Sequence, residues 1–161
     1  MGGVAILAGF EPFGPYPVNP TAQLARKLDG QTISDVLVKS VVMPATYLTC
    51  HFDVMEMAVH YKACRIVTFG LATRVQRLRI ETIGRNRMES KYPDAVGLLC
   101  KGEPLYDGLA QTLSTNSDPF SLLRNMKSAG VPCEISDDAE GFVCNALIYH
   151  VLYTLNLLHL Q

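Results

Sequence analysis

The run Val4–Gly9, VAILAG, carries no polar side chain and closes on a glycine. A strand with one wet face alternates apolar and polar residues. A short run that is apolar at every position fits a strand covered on both faces, the condition of a parallel sheet between helices. That feature limits the chain more than any other, because a doubly covered strand requires helical layers on both sides. The rest of the sequence supplies them. Val36–Val42, Ile66–Gly70, Leu78–Ile83 and Val131–Ser136 read as further strands. Thr21–Leu28, Thr46–Tyr61, Pro119–Ala129 and Gly141–Leu158 read as helices. In the second of these Leu48, Phe52, Met55 and Val59 recur at helical spacing, and in the last the apolar face is Leu147, Ile148, Val151, Leu152 and Leu155. Met88–Asp118 is polar and punctuated by proline and glycine, and reads mostly as loop. Strands alternating with helices predict the α/β class: a single domain over residues 1–161 with a mostly parallel open sheet and helices on both faces.

Composition narrows the function classes. Fourteen Lys and Arg against fifteen Asp and Glu leave a net charge of −1, with no basic excess for nucleic acid or an anionic membrane. No apolar run approaches the ~20 residues of a membrane span. The start of the chain lacks the basic and apolar stretches of a signal peptide. Five cysteines, at 50, 64, 100, 133 and 144, form no C-x-x-C pair and no zinc spacing. Reduced thiols, a cytoplasmic location and no metal are the expectations.

In open α/β sheets, ligands bind beyond the carboxyl ends of the strands. Three segments follow strands here, Phe10–Asn19, Leu71–Glu81 and Asp137–Cys144, and are expected to converge. Phe10 and Phe13 flank a Glu-Pro turn, which reads either as core packing or as an aromatic pocket. Glu81 is either a surface acid or a buried orienter. Cys144 falls at the start of the last helix, where the dipole and free N–H groups favour thiolate; a small core residue is the alternative. None of His51, His60, His150 and His159 sits in a Cys/His motif, and all four read as core or surface filling. His150 follows Cys144 by six residues on the same helix, which puts it on another face about 9 Å along the axis.

Gly9-Phe10-Glu11-Pro12-Phe13-Gly14 with Val18-Asn19-Pro20, Gly70-Leu71-Ala72, Glu81 with Asn86 and Pro93-Asp94, and Ala139–Asn145 with Tyr149-His150 together resemble the pyrrolidone-carboxylate (pyroglutamyl) peptidase family of cysteine peptidases. The resemblance runs from about Val4 to Leu155. It implies a phosphorylase/hydrolase-like fold and hydrolysis of N-terminal pyroglutamate from peptides. Cys144 would be the nucleophile and Glu81 the carboxylate that orients the family's histidine. Phe10, Phe13, Asn19 and Leu71 would surround the lactam ring. No cofactor is implied.

The sequence also departs from the family. The histidine is expected on a further strand beyond the cysteine helix; that strand and a closing helix are not found before Gln161. Apolar sheet surface left open by this would favour a homo-oligomer. Leu71 stands where the family usually has glutamine, Thr73 for glycine, Pro15 for glycine and Lys91 for arginine. Asp137, Asp138 and Glu140 are expected to crowd Cys144 and raise its pKa. An active peptidase, a non-catalytic relative that binds an end group or a partner protein, and another hydrolase on a similar scaffold are the three readings that follow.

Overall fold

The structure is a computed structural model that describes residues 2–73 and 75–159. β1 (Val4–Phe10) leads through a turn to α1 (Pro20–Leu28). The hairpin β2 (Thr32–Ile33) and β3 (Val36–Met43) precedes α2 (Phe52–His60) and β4 (Arg65–Thr68). Then come β5 (Leu78–Glu81), β6 (Ile83–Arg85), β7 (Met88–Glu89), β8 (Lys101–Glu103) and β9 (Thr112–Ser114). α3 (Pro119–Ser128), β10 (Cys133–Ser136) and α4 (Val143–Leu157) complete the order.

β1 is the centre, as its composition requires. It pairs in parallel with β3 on one side and β4 on the other, giving a sheet of order β2-β3-β1-β4. Its side chains alternate between two dry layers. Ile6, Ala8 and Phe10 join the larger core with Val54 and Met55 of α2 and Val143, Ala146 and Leu147 of α4. Leu7 turns the other way, with Ala25 of α1 and Val38. Gly9 is a steric necessity: a Cβ there would lie 2.5 Å from the Thr21 carbonyl of α1. A second parallel pair, β5 with β10, carries the chain to α4. Among the described residues β4 pairs only with β1, and β5 only with β10.

One expectation needs correction. The helix expected over Thr46–Tyr61 begins only at Phe52. The Tyr47 N–H is taken by the Asp94 carboxylate at 3.0 Å, and Tyr47 and Cys50 are buried in a turn rather than on a helix face. The buried stripe of α2 is Val54, Met55 and Ala58; Leu48, Phe52 and Val59 are exposed. The stretch Met88–Asp118 is mostly loop, as its composition predicts, with three short strands in it: β7 pairs with β8, and β9 reaches back to β6, both antiparallel. These strands are two or three residues long and are held by partners distant in sequence, so no local periodicity reveals them. β2 escapes a sequence reading for a related reason. Its two-residue turn uses Ser34 and Asp35 at φ 47° and 64°, left-handed positions usually marked by glycine or asparagine.

Candidate active site

The three segments that follow strands do converge. Phe10, Phe13 and Tyr16, then Gly70–Thr73 and Arg77–Glu81, then Asp138–Phe142 and Cys144 all line one groove of about 2450 Å³. Residues of β4 and β5 both line it, with Leu147, Ile148 and Val151 of α4.

Cys144 occupies the second position of α4. α1 and α3 have their first amides capped by Asn19 and Asp118, but α4 begins at Phe142 with no side-chain cap. No side chain at Phe142 takes up the first-turn N–H groups of α4, and the helix end favours negative charge near the thiol. Gly70 packs directly over the sulfur: a Cβ there would lie 2.3 Å from Sγ. That contact brings the backbone N–H of Leu71 to the thiol, where it favours thiolate, as does the N–H of Cys144 itself. Burial outweighs both. It is the largest influence on the thiol and, with the nearby carboxylates of Glu81 and Glu140, pushes the pKa up to about 11. The helix start and the acidic turn pull the thiol in opposite directions, and the balance falls upward, as the acidic turn leads one to expect, because desolvation of the sulfur exceeds what a few N–H groups return.

The acidic crowding expected before Cys144 is partly neutralised. Arg85 Nε lies 3.6 Å from Asp138 Oδ1, and its Nη2 donates to the Asp137 carbonyl at 2.9 Å. Arg79 Nη2 donates to Ser136 Oγ and to the Asp138 carbonyl, both at 2.8 Å. Two guanidinium groups that sequence reasoning passed over thus tie down the turn leading to the nucleophile candidate. Arginines flanking a strand acid were the available signal. Glu81 lies in the groove with Oε1 3.5 Å from Arg79 Nε, while its Oε2 is buried without a hydrogen-bond partner.

The aromatic residues divide. Phe10 is fully buried core, whereas Phe13 is half-buried and packs on Phe142 at 5.2 Å and on Tyr16 at 5.7 Å. Asn19 is not in the groove lining. Its Oδ1 accepts from Thr21 N and Thr21 Oγ1, and its Nδ2 donates to the Glu11 carbonyl, so it caps α1 and pins the Phe10–Phe13 turn. Asn86 and Asp94 are likewise structural: Asn86 bonds both backbone groups of Tyr106, and Asp94 accepts from Tyr47, Val96 and Leu98.

Among the described residues no histidine lines the groove. His150 has both ring nitrogens engaged, with Nε2 donating to the Tyr47 carbonyl at 2.8 Å and Nδ1 accepting from Tyr106 Oη at 2.7 Å. His51 stacks on it, ring centroids 4.2 Å apart. All five cysteines are free thiols. No group of metal-ligating side chains is gathered among the described residues, and no helix there is long and apolar enough to cross a membrane.

These features define an open α/β protein whose site lies at the carboxyl ends of parallel strands, with a thiol at a helix start and a carboxylate in the same groove. The family model described as pyroglutamyl peptidase matches residues 4–160, and the chain belongs to that family. The pyrrolidone-carboxylate peptidase of Thermococcus onnurineus is 26% identical over 150 residues, covering 93% of this chain and 74% of that one. The Pyrococcus furiosus protein of the same name is 28% identical, covering 92% and 71%. The crystal structure of Bacillus amyloliquefaciens pyroglutamyl peptidase I superposes with a TM-score of 0.91 at 25% identity, covering 96% of this chain and 75% of that one. The pyrrolidone carboxyl peptidase structure from Pyrococcus furiosus does so at 0.91 and 26%, covering 97% and 75%.

Proposed function

We propose that this protein acts as a cysteine-type omega-peptidase on peptides that begin with pyroglutamate, with Cys144 as nucleophile. The observation that carries this reading is Cys144 Sγ at the uncapped start of α4, packed under Gly70 within reach of the Leu71 N–H. In the reaction Sγ attacks the carbonyl carbon of the pyroglutamyl bond. The C=O electrons move onto oxygen, where the N–H groups of Leu71 and Cys144 stabilise the oxyanion. The thiol proton passes through a base to the leaving amine as the C–N bond breaks. Water then hydrolyses the thioester and returns the thiol. The lactam ring is flat and uncharged, so an apolar wall with a few hydrogen bonds suits it. Phe13 and Leu71 supply that wall, Phe10 backs it, and Asn19 holds the turn that presents Phe13. The free Oε2 of Glu81 is the acceptor that would orient an imidazole base.

A second reading, a relative that binds the pyroglutamyl group without cleaving it, is favoured by two observations. The thiol pKa stands near 11, and no imidazole lines the groove among the described residues. Hydrolysis of a fluorogenic pyroglutamyl amide separates the two, with the protein compared against Cys144→Ala. The expected result is release that falls about 10³-fold or more in the variant. Release no greater than the variant's, with a pyroglutamyl dipeptide still raising the melting temperature, would favour the binding reading. Neither release nor protection would sink both.

A further inference from the structure

Arg79 lies two residues before Glu81 on β5, on the same strand face, and reaches in two directions. On one side Nε meets Glu81 Oε1 at 3.5 Å. On the other, Nη2 donates to Ser136 Oγ and to the Asp138 carbonyl, each at 2.8 Å. Ser136 is the residue opposite Glu81 in the β5–β10 register, and it opens the turn that carries the chain to Cys144. The guanidinium is mostly buried, with its side chain 22% exposed against 18% for Glu81. A planar fork can bind a carboxylate and a backbone carbonyl at once, which an ammonium does poorly.

We propose that Arg79 is a positioning residue of the site, which couples the Glu81 carboxylate to the Ser136–Asp138 turn and screens its charge from Cys144 Sγ. The catalytic meaning rests on the reading of Cys144 as nucleophile; the coupling itself does not. The groups that bear on the sulfur are Glu81 of β5, Glu140 of the turn, Cys50, which precedes α2, and the N–H groups of Leu71 and Cys144. Glu81 and Glu140 both disfavour thiolate. Among the described residues the ion pair that Glu81 makes is with Arg79, so loss of Arg79 removes that compensation from a carboxylate that bears on the thiol. It also frees the turn that aims the helix start.

The test reads thiol reactivity rather than turnover, so failure of the peptidase reading and failure of this one are distinguishable. Carbamidomethylation of Cys144 by iodoacetamide is followed by mass spectrometry across pH, with exposed Cys64 as internal reference. Arg79→Met is expected to slow Cys144 modification roughly three- to ten-fold at constant pH and to move its pH midpoint upward. Arg79→Lys should recover part of the loss. Adding Glu81→Gln to Arg79→Met should recover most of the rate, because the charge that Arg79 screens is then gone and only that of Glu140 remains. Thermal melts establish that each variant is folded. Unchanged Cys144 reactivity in folded Arg79→Met would overturn the proposal. So would a double variant as slow as the single one, since that is the behaviour of a purely structural side chain.

Discussion

Single residues decide whether the sulfur can work. Gly70 is defined by what an added methyl would meet: Sγ of Cys144 at 2.3 Å and its Cβ at 3.0 Å. Cys144 is fixed in the first turn of α4 and has no long side chain to swing aside. Gly70→Ala must therefore displace either the segment after β4 or Cys144, and with it the Leu71 N–H. Misplacement by about 1 Å costs on the order of 10²-fold in rate. We expect a folded variant with kcat/KM for pyroglutamyl amides lowered by that order, and an unchanged value would show that the close approach is incidental. The thiol itself shows how magnitudes compete. A helix start and two N–H groups favour thiolate, yet burial and two carboxylates prevail, so deprotonation needs a base rather than the dipole alone.

At the scale of elements, the site depends on how α4 is held against β6. Asn145 follows Cys144 and is fully buried. Its Oδ1 accepts from Arg85 N at 2.7 Å, and its Nδ2 donates to the carbonyls of Arg85 and Arg87 at 2.8 and 2.9 Å. Gly84, just before Arg85, lets the β6 backbone pass close to Tyr149, where a Cβ would lie 2.8 Å from the Tyr149 nitrogen. Asn145→Ala removes all three bonds and leaves buried backbone groups unsatisfied. We expect a loss of about 3 kcal/mol in urea unfolding, from a penalty of about 1–3 kcal/mol for each group left unpaired. A loss below about 1 kcal/mol would mean that water replaces the amide. The same elements show what was legible. The start of α3 at Pro119 was readable because proline geometry at a first turn is local, whereas the role of Asn19 as the cap of α1 shows only in the structure. The start of α2 was not readable, because a carboxylate distant in sequence, Asp94, takes the Tyr47 N–H.

The whole molecule carries a pH dependence that no local pattern announces. His51 and His150 stack at 4.2 Å, buried between α2 and α4. Burial, then the neighbouring His150, pulls His51 down to about 4, and burial lowers His150 as well. In the unfolded chain both titrate near ~6.5. The unfolded state therefore takes up protons that the folded state refuses. The stabilisation is fully present above pH ~6.5 and drains away as pH falls toward about 4. The melting temperature should drop through that window, and His51→Phe should flatten the drop relative to the parent. A parent curve level from pH 6.5 to 5 would show that the pair titrates normally.

By itself the sequence determined the class of architecture and the list of chemical candidates. A strand apolar at every position demands two helical layers, and proline, glycine and capping residues mark local boundaries whose physics is contained in a few neighbours. The same residues pointed to Cys144, Glu81 and the Phe10–Phe13 turn. Only the tertiary structure decided their surroundings: Phe10 buried where core and groove meet and Phe13 half-buried beside it, Asn19 spent on capping, the thiol pKa raised by burial, and Arg79 and Arg85 tying down the turn ahead of it. Burial, cross-strand register and long-range pairing depend on which distant residues arrive at the same place, and one-dimensional spacing does not encode that meeting.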